Sequence, residues 1–340
     1  MTPTAALLFS LRESHELASS VGRQAGLALS PLEEREFEGG EFKLRPLESV
    51  RNRSAFVFQC LAGTPQAAVS DRLLRLLFLL YGLRDTGAAQ RIALLPYLTF
   101  ARKDRRTQVR DPVNTRYVAQ LLEAAGVDRV VTLDVHNPAA LDNSFRVPVD
   151  HLSALPMMVD HFSTRLGNTP LTVASPDIGG VKRAQIFREL LEARLGRSVE
   201  LAFFEKRRAG GVVSGQALVG EVRERTVIIV DDLCATGNTL IRAAQASNRA
   251  GSGAVYAAVT HVPHMPGIAT VLAAEGITAL VTTDSVGYPL EPLPAQVASK
   301  LTVLSIAPLF AQAVRRMLDG NPLAPLLSHW PVTAESQVGG

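Results

Sequence analysis

At 340 residues the chain can fill two cores, and 47% hydrophobic with 20% charged residues excludes a disordered or fibrous protein. A formal net charge of +3 implies no nucleic-acid partner unless the cations cluster, and no apolar run reaches the roughly 18 residues of a membrane span. Two cysteines, Cys60 and Cys234, exclude a disulfide framework and suit a reducing, cytoplasmic setting. The opening MTPTAALLFSLRESHELA has no basic stretch ahead of its apolar run and meets Glu13 and Glu16 soon after, unlike a secretory leader.

Apolar strand patterns then alternate with helical ones. Ala5–Ser10 reads as a strand with a helix from about Ser14, Ala55–Gln59 as a strand before a helix over Ser70–Thr86, and Arg91–Pro96 as a strand before a helix over Asn114–Ala125. Arg129–Asp134 is a further strand. The grammar resumes with strand Leu171–Ala174, helix Lys182–Leu195, strands Glu200–Phe204 and Val227–Val230, and helix Ile241–Arg249. Strands Ala254–Thr260 and Ala279–Thr283 flank a short helix, Ile268–Glu275. This order predicts an α/β protein of two domains, each a mostly parallel sheet flanked by helices. The boundary falls near His151–Pro156, giving domains over 1–153 and 154–320 and a loosely held tail over 321–340.

Neither common nucleotide fingerprint is present. No G-x-x-x-x-G-K-[ST] occurs, and Gly251-Ser252-Gly253 leads into a strand, the wrong order for a dinucleotide turn. Ligands of open α/β sheets lie beyond the carboxyl ends of strands, and the candidate residues cluster there. After Arg91–Pro96 come five cations between Arg102 and Arg110, with Asp104 the only acid before Asp111. This stretch reads as a solvated basic loop or as a polyphosphate clamp, because Arg forks match phosphate oxygens and Lys103 adds a point charge. With only Tyr97 and Phe100 interleaved, it is a poor stacking platform for nucleic acid.

His136, in Thr132-Leu133-Asp134-Val135-His136-Asn137, follows a second strand end. Asp177, in Ala174-Ser175-Pro176-Asp177-Ile178-Gly179-Gly180, follows a third; it reads as a turn with a helix cap or as a carboxylate for Mg²⁺. Glu205-Lys206-Arg207-Arg208-Ala209-Gly210-Gly211 reads as a basic hairpin tip or as a cationic flap able to close over a transferring phosphoryl group. His261 and His264 lack the spacing of a zinc site and read as a strand-end loop. The most specific stretch is Thr226 to Leu240, TVIIVDDLCATGNTL: a buried strand, the paired carboxylates Asp231 and Asp232, a small-residue loop and a helix start, whose free N–H groups and partial positive charge suit an anion. Cys234 within it reads as a buried packing residue or as an oxidation liability.

That last stretch resembles the phosphoribosyl-diphosphate (PRPP) loop of the type I phosphoribosyltransferase fold. Together with YLTFARKDRRT, DRVVTLDVH, SPDIGGVKRA and EKRR in this order, from roughly Leu8 to Leu318, the chain resembles the ribose-phosphate diphosphokinase family. The resemblance implies two phosphoribosyltransferase-type domains, ATP on the first and ribose 5-phosphate on the second, with the diphosphoryl group of ATP passing to the anomeric hydroxyl to give PRPP and AMP. It assigns Arg102 and Lys103 to the ATP phosphates and Gly39, Gly40 and Glu41 to an adenine-binding loop that reaches a neighbouring subunit. It assigns His136 and Asp177 to Mg²⁺, Lys206 and Arg208 to transition-state charge, Asp231 and Asp232 to the ribose hydroxyls, and Ala235, Thr236, Gly237, Asn238 and Thr239 to the 5-phosphate. It further implies a homo-oligomer of dimers assembling into a hexamer, with no nucleic-acid or membrane partner. Four positions depart from the family pattern: Ala235 and Asn238 in the phosphate loop, where an acid and a glycine are usual, Gly39 in the adenine loop, where Asp is usual, and Lys103, where Gln is common. The other readings are a catalytically silent regulatory paralogue and a phosphoribosyltransferase that consumes PRPP.

Overall fold

The computed structural model describes residues 6–64, 67–209, 212–263, 268–287 and 293–327. The chain divides into two compact units: one holds the residues up to Ser153 together with Ser285–Gly287 and those from Ser305, the other holds Ala154–Asp284 and Tyr288–Leu304.

In the first unit the elements run β1 (Leu7–Ser10), α1 (His15–Ala25), β2 (Leu32–Glu36), β3 (Phe42–Pro46), β4 (Ser54–Phe58), α2 (Val69–Asp85), β5 (Gln90–Leu95), α3 (Asn114–Ala124), β6 (Arg129–Leu133), α4 (Pro138–Asp142) and β7 (Val149–Leu152). Five strands form a parallel sheet in the order β1-β4-β5-β6-β7. Parallel strands covered on both faces read as continuous apolar runs, and β1, most of β4 and the end of β5 are buried accordingly. Phe9, Val57, Leu76, Leu80, Leu95, Ala119 and Leu122 meet in its core. The antiparallel hairpin β2–β3 stands as a separate two-stranded sheet.

The second unit runs α5 (Leu155–Leu166), β8 (Leu171–Ser175), α6 (Val181–Leu195), β9 (Glu200–Ala209), β10 (Val212–Val219), β11 (Thr226–Leu233), α7 (Asn238–Arg249), β12 (Val255–His261), α8 (Ile268–Ala273), β13 (Ala279–Thr283), α9 (Ala295–Ala298) and β14 (Leu301–Leu304). Its seven strands lie in the order β10-β9-β8-β11-β12-β13-β14, all parallel except β10, which closes one edge antiparallel to β9. β8 and β11 are neighbours at the centre, which sets the two site-bearing loops that follow them side by side.

The domain expectation needs one correction. The helix α10 (Ala307–Leu318) belongs with the first unit and not with a domain ending at 320. Its apolar face carries Phe310, whose ring meets Phe58 of β4 edge-on at 5.7 Å. The segment after it is also held: Leu323 and Leu326 are buried, the Ser153 N–H donates to the Leu326 carbonyl at 3.0 Å, and Leu327 bridges to Leu152. The rest of the expected tail, 328–340, lies outside the described residues.

Candidate active site

The end of β11 carries the second unit's chemistry. Val227 to Val230 are buried, and the strand continues through Asp231, half-buried, and Asp232, buried. The Asp232 N–H donates to Asp231 Oδ1 at 2.9 Å. Arg183, in the first turn of α6, reaches both carboxylates: its Nη1 lies 3.0 Å from Asp232 Oδ1 and 3.5 Å from Asp231 Oδ1. Burial first, and then the charge of Asp232, push the Asp231 carboxyl well above the ordinary carboxylate range.

This shift has a measurable consequence. The folded state holds the Asp231 proton more tightly than the unfolded chain, so its contribution to stability is full below about pH 4. It is lost as pH rises toward the folded value of about 8. In thermal melts of the unliganded protein from about pH 5 to about pH 9, the advantage of wild type over Asp231→Asn is expected to shrink steadily with pH. Parallel curves for the two proteins would contradict the shift.

The turn after β11 is built around one glycine. Gly237 adopts a left-handed φ of 73°, caps α7 and is buried. A Cβ added there would lie 2.2 Å from Val271 Cγ2. With glycine at the cap, no side chain caps α7, so the first-turn N–H groups at Asn238 and Thr239 have no side chain closing them off, the arrangement that receives an anion. Thr236 and Asn238 are exposed, and Ala235 and Thr239 half-buried. Asn238 begins the helix and is not among the residues of positive φ, so the glycine usual in its place is not required by the backbone here. Cys234 is buried, and burial pushes its thiol up to about 12, which makes it a packing residue and not a reactive one.

Beside this turn, β8 ends at Ser175 and the chain enters Asp177. The Asp177 Oδ1 accepts from the Gly180 N–H at 3.2 Å, so the expected cap exists, while the side chain stays half-buried. Gly180 sits so close that an added Cβ would lie 2.6 Å from Ser175 Oγ. The cationic segment is not a strand exit: β9 continues through it, with Lys206 opposite Gln216 and Arg208 opposite Val213 in the hairpin with β10. The side chains of Lys206 and Arg208, and all of Gly210 and Gly211, lie outside the described residues. His261 is the buried last residue of β12 and not a loop residue, while His264 lies outside the described residues.

In the first unit the ends of β5 and β6 are adjacent, and their loops are tied together. Asn137 Nδ2 donates to Asp104 Oδ2 at 2.6 Å while its Oδ1 caps α4 by accepting from the Ala140 N–H. This link places exposed His136 beside the basic loop. Asp134, just before it, is buried at φ 35°, and the Val135 N–H donates to His151 Nε2 at 2.7 Å. Arg102 is exposed. Lys103 pairs with Asp111 at 2.5 Å, and the same carboxylate oxygen accepts from Thr107 N and Oγ1 and from Gln108 N. These partners, Lys103 foremost, hold the Asp111 carboxyl well below the usual carboxylate range. Gly39, Gly40 and Glu41 lie at the tip of the β2–β3 hairpin; both glycines have positive φ, 83° and 88°, and Phe37 beside them is 42% exposed.

Among the described residues no group of three or more His, Cys, Asp and Glu side chains gathers to hold a metal ion, and His136 and Asp177 lie in different units. Sequence reasoning missed Arg183 and Asp111. Arg183 had a signal: a cation in the first turn of a helix opposes the helix dipole and calls for a nearby anion.

Residues 156–265, which carry the paired carboxylates and the uncapped helix start, match the family model described as "Phosphoribosyl transferase domain". Residues 6–126 match the model "N-terminal domain of ribose phosphate pyrophosphokinase". The chain is 34% identical over 324 residues to "Ribose-phosphate pyrophosphokinase 1" of Streptococcus pneumoniae, covering 94% of this chain and 96% of that one. It is 36% identical over 323 residues to "Ribose-phosphate pyrophosphokinase" of Caldanaerobacter subterraneus, covering 94% and 97%. Phosphoribosylpyrophosphate synthetase from Mycobacterium smegmatis has a similar structure, with a TM-score of 0.81 at 30% identity over 94% of this chain and 100% of that one. The chain belongs to the ribose-phosphate pyrophosphokinase family. Among the described residues no helix is long and apolar enough to cross a membrane.

Proposed function

We propose that this chain transfers the β,γ-diphosphoryl group of ATP to the anomeric hydroxyl of ribose 5-phosphate, giving PRPP and AMP. The attacking ribose oxygen forms a bond to the β-phosphorus, the bond from that phosphorus to the α–β bridging oxygen breaks, and AMP leaves with the electron pair. The hydroxyl proton is released to solvent.

The observation that carries this reading is the β11–α7 turn. Two adjacent carboxylates can accept from the ribose hydroxyls, and the uncapped start of α7 suits the dianionic 5-phosphate. On this reading Ala235, Thr236, Gly237, Asn238 and Thr239 cradle the phosphate. Exposed Arg102, with Lys103 drawn from Asp111, holds the phosphates of ATP. The hairpin tip Gly39-Gly40-Glu41 holds the adenine, and in a hexamer of dimers it would do so for a neighbouring subunit. Lys206 and Arg208 neutralise charge as the diphosphoryl group moves.

The half-buried carboxylate of Asp177 fits Mg²⁺, which binds through one or two carboxylates together with substrate phosphates. Asp177 on the second unit and His136 on the first are each proposed as a ligand, and Mg²⁺ would screen the negative charge of the triphosphate. Two free, buried cysteines suit a reducing compartment and support a cytoplasmic location. Incubation of the purified chain with ATP, Mg²⁺ and ribose 5-phosphate is expected to yield AMP and PRPP one for one. Absence of AMP at every inorganic phosphate concentration would contradict the proposal.

A further inference from the structure

Arg183 is the one charged group of α6 whose pairing reaches both acids at the end of β11, and nothing in the reaction itself requires a cation at that point. Its side chain is 16% exposed, that of Asp232 5% and that of Asp231 21%. Two carboxylates on consecutive residues repel each other, and burial strengthens the repulsion. Arg183 draws the Asp231 carboxyl back toward its ionised form against burial and the charge of Asp232; without it the pair would hold its proton still more tightly or one acid would turn away, and either outcome weakens an acceptor for the sugar. A single guanidinium nitrogen 3.0 Å from one and 3.5 Å from the other answers both problems: it offsets the negative charge and fixes where the oxygens point.

The backbone makes this placement available. β8 and β11 are hydrogen-bonded neighbours, so the helix that follows β8 begins beside the end of β11. Gly180, packed against Ser175 Oγ, lets α6 begin that close to the strand end. A first-turn arginine opposes the dipole of its own helix, a disadvantage that the carboxylate pair offsets.

We propose that Arg183 is a positioning residue for the sugar-binding carboxylates, acting through Asp232 and Asp231 without touching the substrate. This rests on the reading of those two acids as the ribose-hydroxyl acceptors.

The test is steady-state kinetics on the full-length enzyme for Arg183→Met, Arg183→Lys and Asp232→Asn, and for Arg183→Met combined with Asp232→Asn. Arg183→Met is expected to raise the KM for ribose 5-phosphate about tenfold or more while kcat and the KM for ATP stay within about twofold. Arg183→Lys keeps the charge but loses the planar, rigidly placed guanidinium, and is expected to recover most of that loss. In the Asp232→Asn background Arg183→Met should add about twofold or less, because the two residues act as one unit. Full multiplication of the two effects, or a fall in kcat with the ribose 5-phosphate KM unchanged, would overturn the proposal. Where the methionine variant does not fold, Arg183→Lys decides: a rise of about threefold in the ribose 5-phosphate KM alone supports the role, and an unchanged KM overturns it. The two levels separate cleanly. If Asp232→Asn leaves the ribose 5-phosphate KM unchanged in an active enzyme, the sugar-site reading falls and the Arg183 role falls with it. If Asp232→Asn raises that KM and Arg183→Met does not, only the role of Arg183 falls.

Discussion

Replacing Lys206 by alanine is expected to lower the rate of AMP and PRPP formation by about 10²-fold or more, with the KM values for ATP and ribose 5-phosphate changed far less. The argument is electrostatic. Phosphoryl transfer through a loose transition state asks the protein for placement and for charge to spread over the moving group, so a cation that meets this group chiefly at the transition state acts on kcat. Lys206 lies in the middle of β9, opposite Gln216, and not in an irregular loop. Its backbone is therefore set by a two-stranded ladder, which favours a defined position over a roaming one. Arg208→Ala should act in the same direction. Unchanged turnover in Lys206→Ala would remove the assigned role.

The second large effect is expected from Gly237→Ala. The left-handed conformation costs a non-glycine residue about 1–2 kcal/mol. The added methyl would also meet Val271 Cγ2 at 2.2 Å, and Val271 is buried, so it must be displaced. Together these give a loss of roughly 2–4 kcal/mol, readable as a lower urea midpoint at unchanged slope. Any movement of the turn also misaligns the first N–H groups of α7, so the KM for ribose 5-phosphate should rise more than tenfold. Asn238→Gly is the control: Asn238 is exposed and has no positive φ, so its loss should change stability by less than about 1 kcal/mol. An undisturbed midpoint for Gly237→Ala would contradict the account of this turn.

Much of the fold was legible because buried parallel strands announce themselves. Val227–Val230, Arg91–Pro96 and Arg129–Asp134 are apolar runs that end in chemistry-bearing loops, and the corresponding strands lie within a residue or a few of those limits. The hairpin β2–β3 was not legible. Leu32-Glu33-Glu34-Arg35-Glu36 shows no alternation, and the hairpin is held instead by cross-strand pairs of Glu33 with Lys43 and Arg45 and by Arg75 of α2, which pairs with Glu36 and lies over the Phe42 ring. The return of α10 to the first unit was equally hidden, since the contact between Phe58 and Phe310 spans most of the chain and leaves no local trace.

The candidate site divides along the same line. Residues at strand ends were found, because topology alone says where ligands of such sheets lie. Arg183 and Asp111 were not, because each earns its place through a partner distant in sequence or through the folded shape of a loop. Arg183 reaches across to β11, and Asp111 closes the loop that carries Lys103. The cations of β9 were found as a cluster but mistaken in form: an antiparallel partner extends the strand through Lys206 and Arg208, and that partner, β10, carries no strong sequence signal of its own.

The most direct test is a calorimetric titration of ribose 5-phosphate into the protein with Mg²⁺ and a non-hydrolysable ATP analogue present. The account predicts saturable one-to-one binding that is lost when ribose replaces its phosphate ester. It also predicts binding weakened about tenfold or more by removal of the sugar's 2-hydroxyl or by Asp231→Asn. Ribose 5-phosphate binding equally well to the Asp231→Asn, Asp232→Asn double variant and to wild type would contradict it.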